Sequence, residues 1–353
     1  MNSSSIGKST CLISLDRNLS GESEKGLKEI LAKVEQQKIR HVILDFSPID
    51  HMNSAGASVL VKMAVLANQH KQKLFALGLN TRYQDIFHLT GLCEGISVIK
   101  EPPEKSAGLS DAEVRDLQAM IIGKGRQDDG GWSPNLTKLQ VTEKPRGAMN
   151  KNVHNRQVLG PLQGFGPIWE KTYRLTIDKV ALQPKDIIAI MKQHFPEFQP
   201  PQNRFYATTK GITAGEIVLI DSATPGGLVS TGVLVLYSDD WSFTLMTPQG
   251  HPEAGWVTFN ASAKGKAIEM QIQGLASAAD PLYELAFRIA GSKFQEAIWR
   301  HVLSSLASHL GVKAEIRIEK TCLMSDLQWL RSVNLWYNAQ IRSLPYNITR
   351  LFS

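Results

Sequence analysis

The sequence of 353 residues predicts two domains of different class, an α/β domain followed by an α+β domain. Three observations predict this. From about residue 6 to 100, short apolar runs alternate with stretches of helical spacing, as βα units over a mostly parallel or mixed sheet require. From about 166 onward, five strand-like runs follow one another with no helix between them, and a long helical stretch comes after them. Between the two, Gly123, Gly125, Gly130, Gly131, Pro134, Pro145 and Pro161 mark an irregular connection. The expected domains are therefore 1–102 and 166–353, joined by a linker over 103–165.

In the first domain, residues 10–15 (TCLISL) read as a strand. Leu27, Ile30, Leu31 and Val34 then repeat at helical spacing over 22–37. Residues 41–46 (HVILDF) are nearly all apolar, as a buried central strand is. A helix over 54–70 carries Val59, Leu60, Met63 and Leu66 on one face. A strand over 73–79, a short helix over 83–89 and a last strand over 96–99 complete it. In the linker, residues 111–122 read as a short helix capped by Ser110.

The second domain opens with a strand over 173–180 and a helix that has Pro184 in its first turn. Strands follow over 216–220, 229–237, 241–246, 256–260 and 267–275. The last alternates Ile268, Met270 and Ile272 with Glu269, Gln271 and Gln273, so one face is wet. Asp280 and Pro281 supply a cap and an N1 proline for a long helix to His309, stopped by Gly311 and bent near Gly291 and Ser292. A strand over 312–318 and an amphipathic helix over 325–344 end the chain. That helix, with Leu327, Leu330, Val333, Tyr337, Ile341 and Leu344 in one stripe, is expected to cover its own domain rather than lie on a membrane.

Composition excludes several classes. The chain is 42% hydrophobic and 20% charged, ordinary globular material. No run of 18 or more apolar residues exists, and the N-terminus lacks a signal-peptide core, so the expectation is a cytoplasmic, non-integral protein. Three cysteines, far apart, make no disulfide framework or metal knuckle. The net charge of +6 is spread evenly, with 13 Lys and Arg against 11 Asp and Glu in residues 1–105 and 26 against 22 beyond. That is no basic stripe, and nucleic acid is not expected as a partner.

The segment HVILDFSPIDHMNSAGASVLVKM (41–63), with IFHLTGL (86–92), resembles the STAS domain of the anti-sigma factor antagonist type. The resemblance implies an α/β fold, a docking loop for a partner of the anti-sigma-factor or kinase type, and a serine that such a kinase phosphorylates. The matching tetrad here is Asn53, Ser54, Ala55 and Gly56, so the resemblance makes Ser54 the phosphoacceptor. Asn53 stands where that family usually has an acid. Read from the residues alone, Ser54 starts an apolar-periodic helix and suits a capping position, where a phosphate is electrostatically tolerated.

The second domain resembles the START-like helix-grip fold, a curved antiparallel sheet around a long helix with an apolar cavity. It also resembles the second half of bacterial proteins of unknown function through LGPLQGFGPIWEKTYR (159–174), TLMTPQGHPEAGW (244–256) and DPLYELAFRI (280–289). The first resemblance implies a lipid-like ligand. Trp241, Phe243, Trp256, Phe259, Met270 and Tyr283 are the candidate pocket residues, and each suits a plain core position equally well.

No catalytic signature is present. The nine histidines form no HxH or HExxH, and His301 and His309 lie eight apart on one helix, too far to share a metal. The glycine-rich stretches at 123–125 and 160–166 lack a preceding strand and following helix, Ser222 and Ser230 lack a G-x-S-x-G context, and Asp239-Asp240 reads as a hairpin turn. Neither enzyme, metal nor cofactor is expected. The expected function is regulatory: a STAS module coupled to a domain that binds an apolar small molecule. The alternative is a lipid or polyketide carrier or modifying protein that uses the STAS module for docking.

Overall fold

The computed structural model describes residues 2–6, 9–99, 112, 128, 130–178, 180–206, 208–224 and 226–351. The chain divides into two compact units, residues 1–130 and 131–353. The expected helix over 111–122 lies outside the described residues, save for position 112.

The first unit is built on a five-stranded sheet of order β1-β2-β4-β6-β7. Its strands are β1 (Asn2–Ile6), β2 (Thr10–Ser14), β4 (His41–Asp45), β6 (Lys73–Leu77) and β7 (Ile96–Val98). Strands β2, β4, β6 and β7 pair in parallel, and β1 adds an antiparallel edge to β2. Central strand β4 explains its own sequence: Val42, Ile43 and Leu44 are fully buried, so no polar alternation survives. Helices α1 (Ser23–Gln36), α2 (Ser54–Gln69) and α3 (Thr81–Thr90) supply the connections. Helix α3 ends on Gly91 at φ 71°, a left-handed stop that glycine adopts without strain. A two-residue ladder joins β3 (Asn18–Leu19) to β5 (His51–Met52).

The second unit is an eight-stranded antiparallel sheet of order β15-β8-β14-β13-β12-β11-β10-β9. Its strands are β8 (Ile168–Ile177), β9 (Asn203–Tyr206), β10 (Ile217–Thr224), β11 (Gly227–Ser238), β12 (Ser242–Met246), β13 (Glu253–Lys264), β14 (Ala267–Ala278) and β15 (Ile316–Met324). Register shifts in β11 and β15 mark irregular points in the ladder, where strands bend. Against one face pack α4 (Pro184–His194) and the long helix, which gives the helix-grip arrangement expected. The long helix starts as α5 (Pro281–Ala286), passes through a π turn (Phe287–Gly291) and continues as α6 (Ser292–His309). The bend expected near Gly291 is this π turn. Asp280 caps the start, its Oδ1 accepting from Tyr283 N at 3.0 Å.

Phe195 sits at the centre of the core. It meets Phe205, Phe243 and Phe259 edge to face, while Phe243 and Phe259 stack with centroids 4.4 Å apart. Ile187, Ile188 and Met191 of α4 and Val302, Leu303 and Leu306 of α6 close over them.

Two expectations are corrected. Residues 131–165 are not a free linker, because they pack on the second unit. Trp132 is buried edge-on against Tyr237, Ser133 N donates to Leu236 O, and Leu159 N donates to Thr247 O, each at 2.8 Å. The final amphipathic helix is not continuous and does not bury its stripe. A 3-10 helix (Trp329–Tyr337) precedes α7 (Ala339–Leu351), and Asn338 breaks the two by accepting from Ile341 N at 3.1 Å. Three residues per turn set Leu330, Val333 and Trp336 on one outward face, leaving Leu330 91% and Trp336 82% exposed.

Candidate functional site

In the first unit the candidate site is the loop between β5 and α2. Asn53, in extended backbone, is the N-cap of α2: its Oδ1 accepts from Gly56 N at 3.0 Å. Ser54 is therefore the first helical residue rather than the cap. The side chain of Asn53 performs the capping task of an acid at that place without its charge. Ser54 is only 1% exposed, and its carbonyl accepts from Ser58 Oγ at 3.2 Å. Ala55 is half-buried. Gly56 lies so close to β3 that a Cβ there would stand 2.3 Å from Leu19 O, which accounts for a glycine in the loop.

In the second unit the sheet and the long helix form a partly open cavity of about 590 Å³, within the range of small-molecule sites. Strand β14 shows how the sequence makes it. Its inner face carries Ile268, Met270 and Ile272, which fill the core, and then Gly274, Ala276 and Ala278, which line the cavity. Large residues fill one half of the sheet, and small ones leave the other half open. Val229, Val257, Phe287 and Ile298 supply further apolar wall.

Of the six residues proposed for the pocket, Trp256 and Tyr283 line it. The other four are placed elsewhere. Phe243, Phe259 and Met270 are fully buried in the core cluster, because the inner face beside α4 is filled rather than open. Trp241 is 52% exposed at the turn between β11 and β12. Tyr283 donates its hydroxyl toward Gly250 O and accepts from Gln340 N at 3.1 Å; burial pushes its phenol well above the ordinary value.

One wall of the cavity is polar. Lys171 Nζ donates to Gln295 Oε1 at 2.6 Å, and Gln295 Nε2 donates to both carboxylate oxygens of Glu253 at 2.7 Å. His251 Nδ1 accepts from Glu253 N at 3.0 Å. Burial drives every charge here toward its neutral form: it pushes Lys171 down, Glu253 up and His251 down to about 4. These four residues come from β8, the turn before β13, the first residue of β13 and α6, so no sequence motif joins them. The signal that could have found the cavity was the small-residue run Gly274, Ala276, Ala278. Among the described residues, no group of three His, Cys, Asp or Glu side chains could hold a metal ion.

The first unit, a mostly parallel sheet with a capped loop-to-helix junction, is of the class of small α/β modules, and residues 5–104 match the STAS domain family. The chain carries a STAS domain there. It is similar to the anti-sigma-B factor antagonist of Staphylococcus aureus, 29% identical over 66 residues, which are 19% of this chain. The chain spans 61% of the length of the curated relatives it matches. Among solved structures, the unphosphorylated anti-sigma factor antagonist SpoIIAA aligns at 12% identity and TM-score 0.26, covering 34% of this chain and 97% of that one. A START superfamily protein from Mycobacterium smegmatis aligns at 16% identity and TM-score 0.29, covering 41% and 98%. The di-domain ARO/CYC StfQ from the steffimycin biosynthetic pathway aligns at 11% identity and TM-score 0.33, covering 41% and 51%. Among the described residues no helix is long and apolar enough to cross a membrane.

Proposed function

We propose that this protein is a regulator in which a STAS module, switched by phosphorylation of Ser54, docks a protein partner of the anti-sigma-factor or kinase type while the second unit binds an apolar small molecule. One observation carries the reading: a chain with a STAS domain at residues 5–104 also holds an apolar-walled cavity of about 590 Å³ in its other unit. The antagonist-type relative supports a protein partner for the first unit. The capped junction at Asn53 and Ser54 supports the switch, since the N-terminus of α2 accepts negative charge while the surface around it gains that charge. The cavity's apolar walls between sheet and helix support a ligand with a large apolar surface.

Native mass spectrometry of the full-length protein tests both halves at once. The expected spectrum shows a non-covalently retained small molecule and, after exposure to a partner kinase with ATP, one added phosphate on Ser54. A ligand-free protein that no fatty acid or hydrophobic dye stabilises on heating would overturn the binding half.

A further inference from the structure

Three cations line the cavity, and they are matched differently. Lys320 pairs with Glu296, and Arg288 pairs with Glu284 at 2.7 Å. Lys171 instead touches a neutral amide. A lysine ammonium has three N–H donors. One of Lys171's goes to Gln295 Oε1, and among the described residues no acceptor meets the other two. Glu253 stands one amide away, its two oxygens accepting from Gln295 Nε2 rather than from Lys171. The neighbouring His251 is held neutral by burial and brings no competing positive charge. Two residues further along the same face of β8, the Tyr173 hydroxyl is buried without a hydrogen-bond partner.

The cavity thus has an apolar body and, on its polar wall, an ammonium that differs from Lys320 and Arg288 in having no carboxylate in contact with it. Lys171 is half-buried beside apolar walls, where a charge is less well solvated than in open water and gains more from a charged partner. The group that satisfies an ammonium most strongly is an oxyanion, through charge-assisted hydrogen bonds. We infer that the cavity's ligand is an apolar carboxylic acid, its carboxylate seated on Lys171 Nζ and its hydrocarbon body along Val229, Val257 and Ile298. This rests on the reading that the cavity binds an apolar molecule, and it adds the end group.

The test is calorimetric titration of the full-length protein, stripped of lipid, with lauric acid and with lauryl alcohol, which share a chain and differ in the end group. Wild type is expected to bind the acid more tightly by about tenfold or more, the worth of a hydrogen bond to a charged group. Lys171→Met should abolish that preference, and a cooperative melt within a few degrees of wild type shows that the variant is folded. Lys171→Arg should retain the preference. Equal affinity of wild type for acid and alcohol, or a preference that survives Lys171→Met, overturns the carboxylate assignment while leaving the cavity as an apolar site. Binding of neither compound overturns the cavity reading and this inference with it.

Discussion

Lys62 and Glu24 form an ion pair across α2 and α1, with 2.7 Å between Nζ and Oε2, and the lysine side chain is only 4% exposed. Lys28 also reaches Glu24, at 2.6 Å. Burial alone would raise the Glu24 carboxyl, but hydrogen bonds from Lys28 and Lys62 outweigh it and hold it below the ordinary value. The folded state therefore binds this proton less readily than the unfolded chain does. The pair's contribution is complete above the unfolded glutamate value of about 4.3 and is lost as pH falls through the lower folded one.

Glu24→Gln is expected to destabilise the first unit by on the order of 2 kcal/mol at neutral pH. That is less than the ~3–5 kcal/mol for breaking a fully buried pair, because the Glu24 side chain keeps 26% exposure. Lys62→Met should cost less, since Glu24 keeps Lys28. Urea unfolding from neutral pH into the acid range checks both. A wild-type acid limb no steeper than that of Glu24→Gln would show that the pair contributes nothing.

The unit boundary at Gly131 makes a second prediction. A chain beginning at residue 131 should melt as the second unit does in the full protein. One beginning at 166 should be markedly less stable, because Trp132 and Leu159 lose burial worth about 1.5–3 kcal/mol each. Equal melting temperatures for the two truncations would return 131–165 to the status of a linker.

Strand β14 separates core from cavity in one substitution series. A Cβ on Gly274 would meet only Lys171 O, at 3.9 Å, so Gly274→Val should fold within about 1 kcal/mol of wild type and project into the cavity. Stabilisation by a fatty acid should then be lost. Met270→Ala, on the same face but in the core, should cost about 2–5 kcal/mol. Thermal melts with and without ligand separate the outcomes. Undiminished ligand stabilisation in Gly274→Val would place the ligand elsewhere.

Much of this was legible in the sequence. Runs such as HVILDF and the alternation in β14 name their strands because burial leaves no other pattern open to them. Asp280, Pro281 and Gly311 mark the helix ends by backbone chemistry alone. Other features were hidden for physical reasons. Strand β1 is Asn-Ser-Ser-Ser-Ile, and only backbone pairing with β2 makes it a strand. The stripe ending at Leu344 has helical spacing, yet Asn338 ties itself to Asp280 Oδ2 at 2.8 Å and breaks it. Of the five aromatic residues expected in the pocket, Phe243 and Phe259 lie in the core, because an aromatic fills space as readily as it lines it. Lys171, Glu253 and Gln295 meet only through the register of β8, β14 and β13 and the packing of α6, which no local pattern encodes.

The junction at Asn53 and Ser54 yields the last prediction. Asn53→Asp should leave the first unit as stable as wild type or more so by about 0.3–1 kcal/mol, because aspartate caps equally well and adds charge at the positive end of α2. Asn53→Ala should cost about 1 kcal/mol. Ser54, at 1% exposure, must leave its place in the first turn before a kinase can reach it, so any modification should be faster in a variant with a weakened cap. Asn53→Ala is that variant. Ser54→Ala should bind an anti-sigma-factor-type partner constitutively, and Ser54→Asp should bind it more weakly. Phosphorylation rate by intact-mass spectrometry, beside partner affinity by calorimetry, reads all four variants. Equal modification rates in wild type and Asn53→Ala would show that turn opening does not limit the transfer. Wild-type affinity in both Ser54 variants would leave the STAS domain a docking module without a switch.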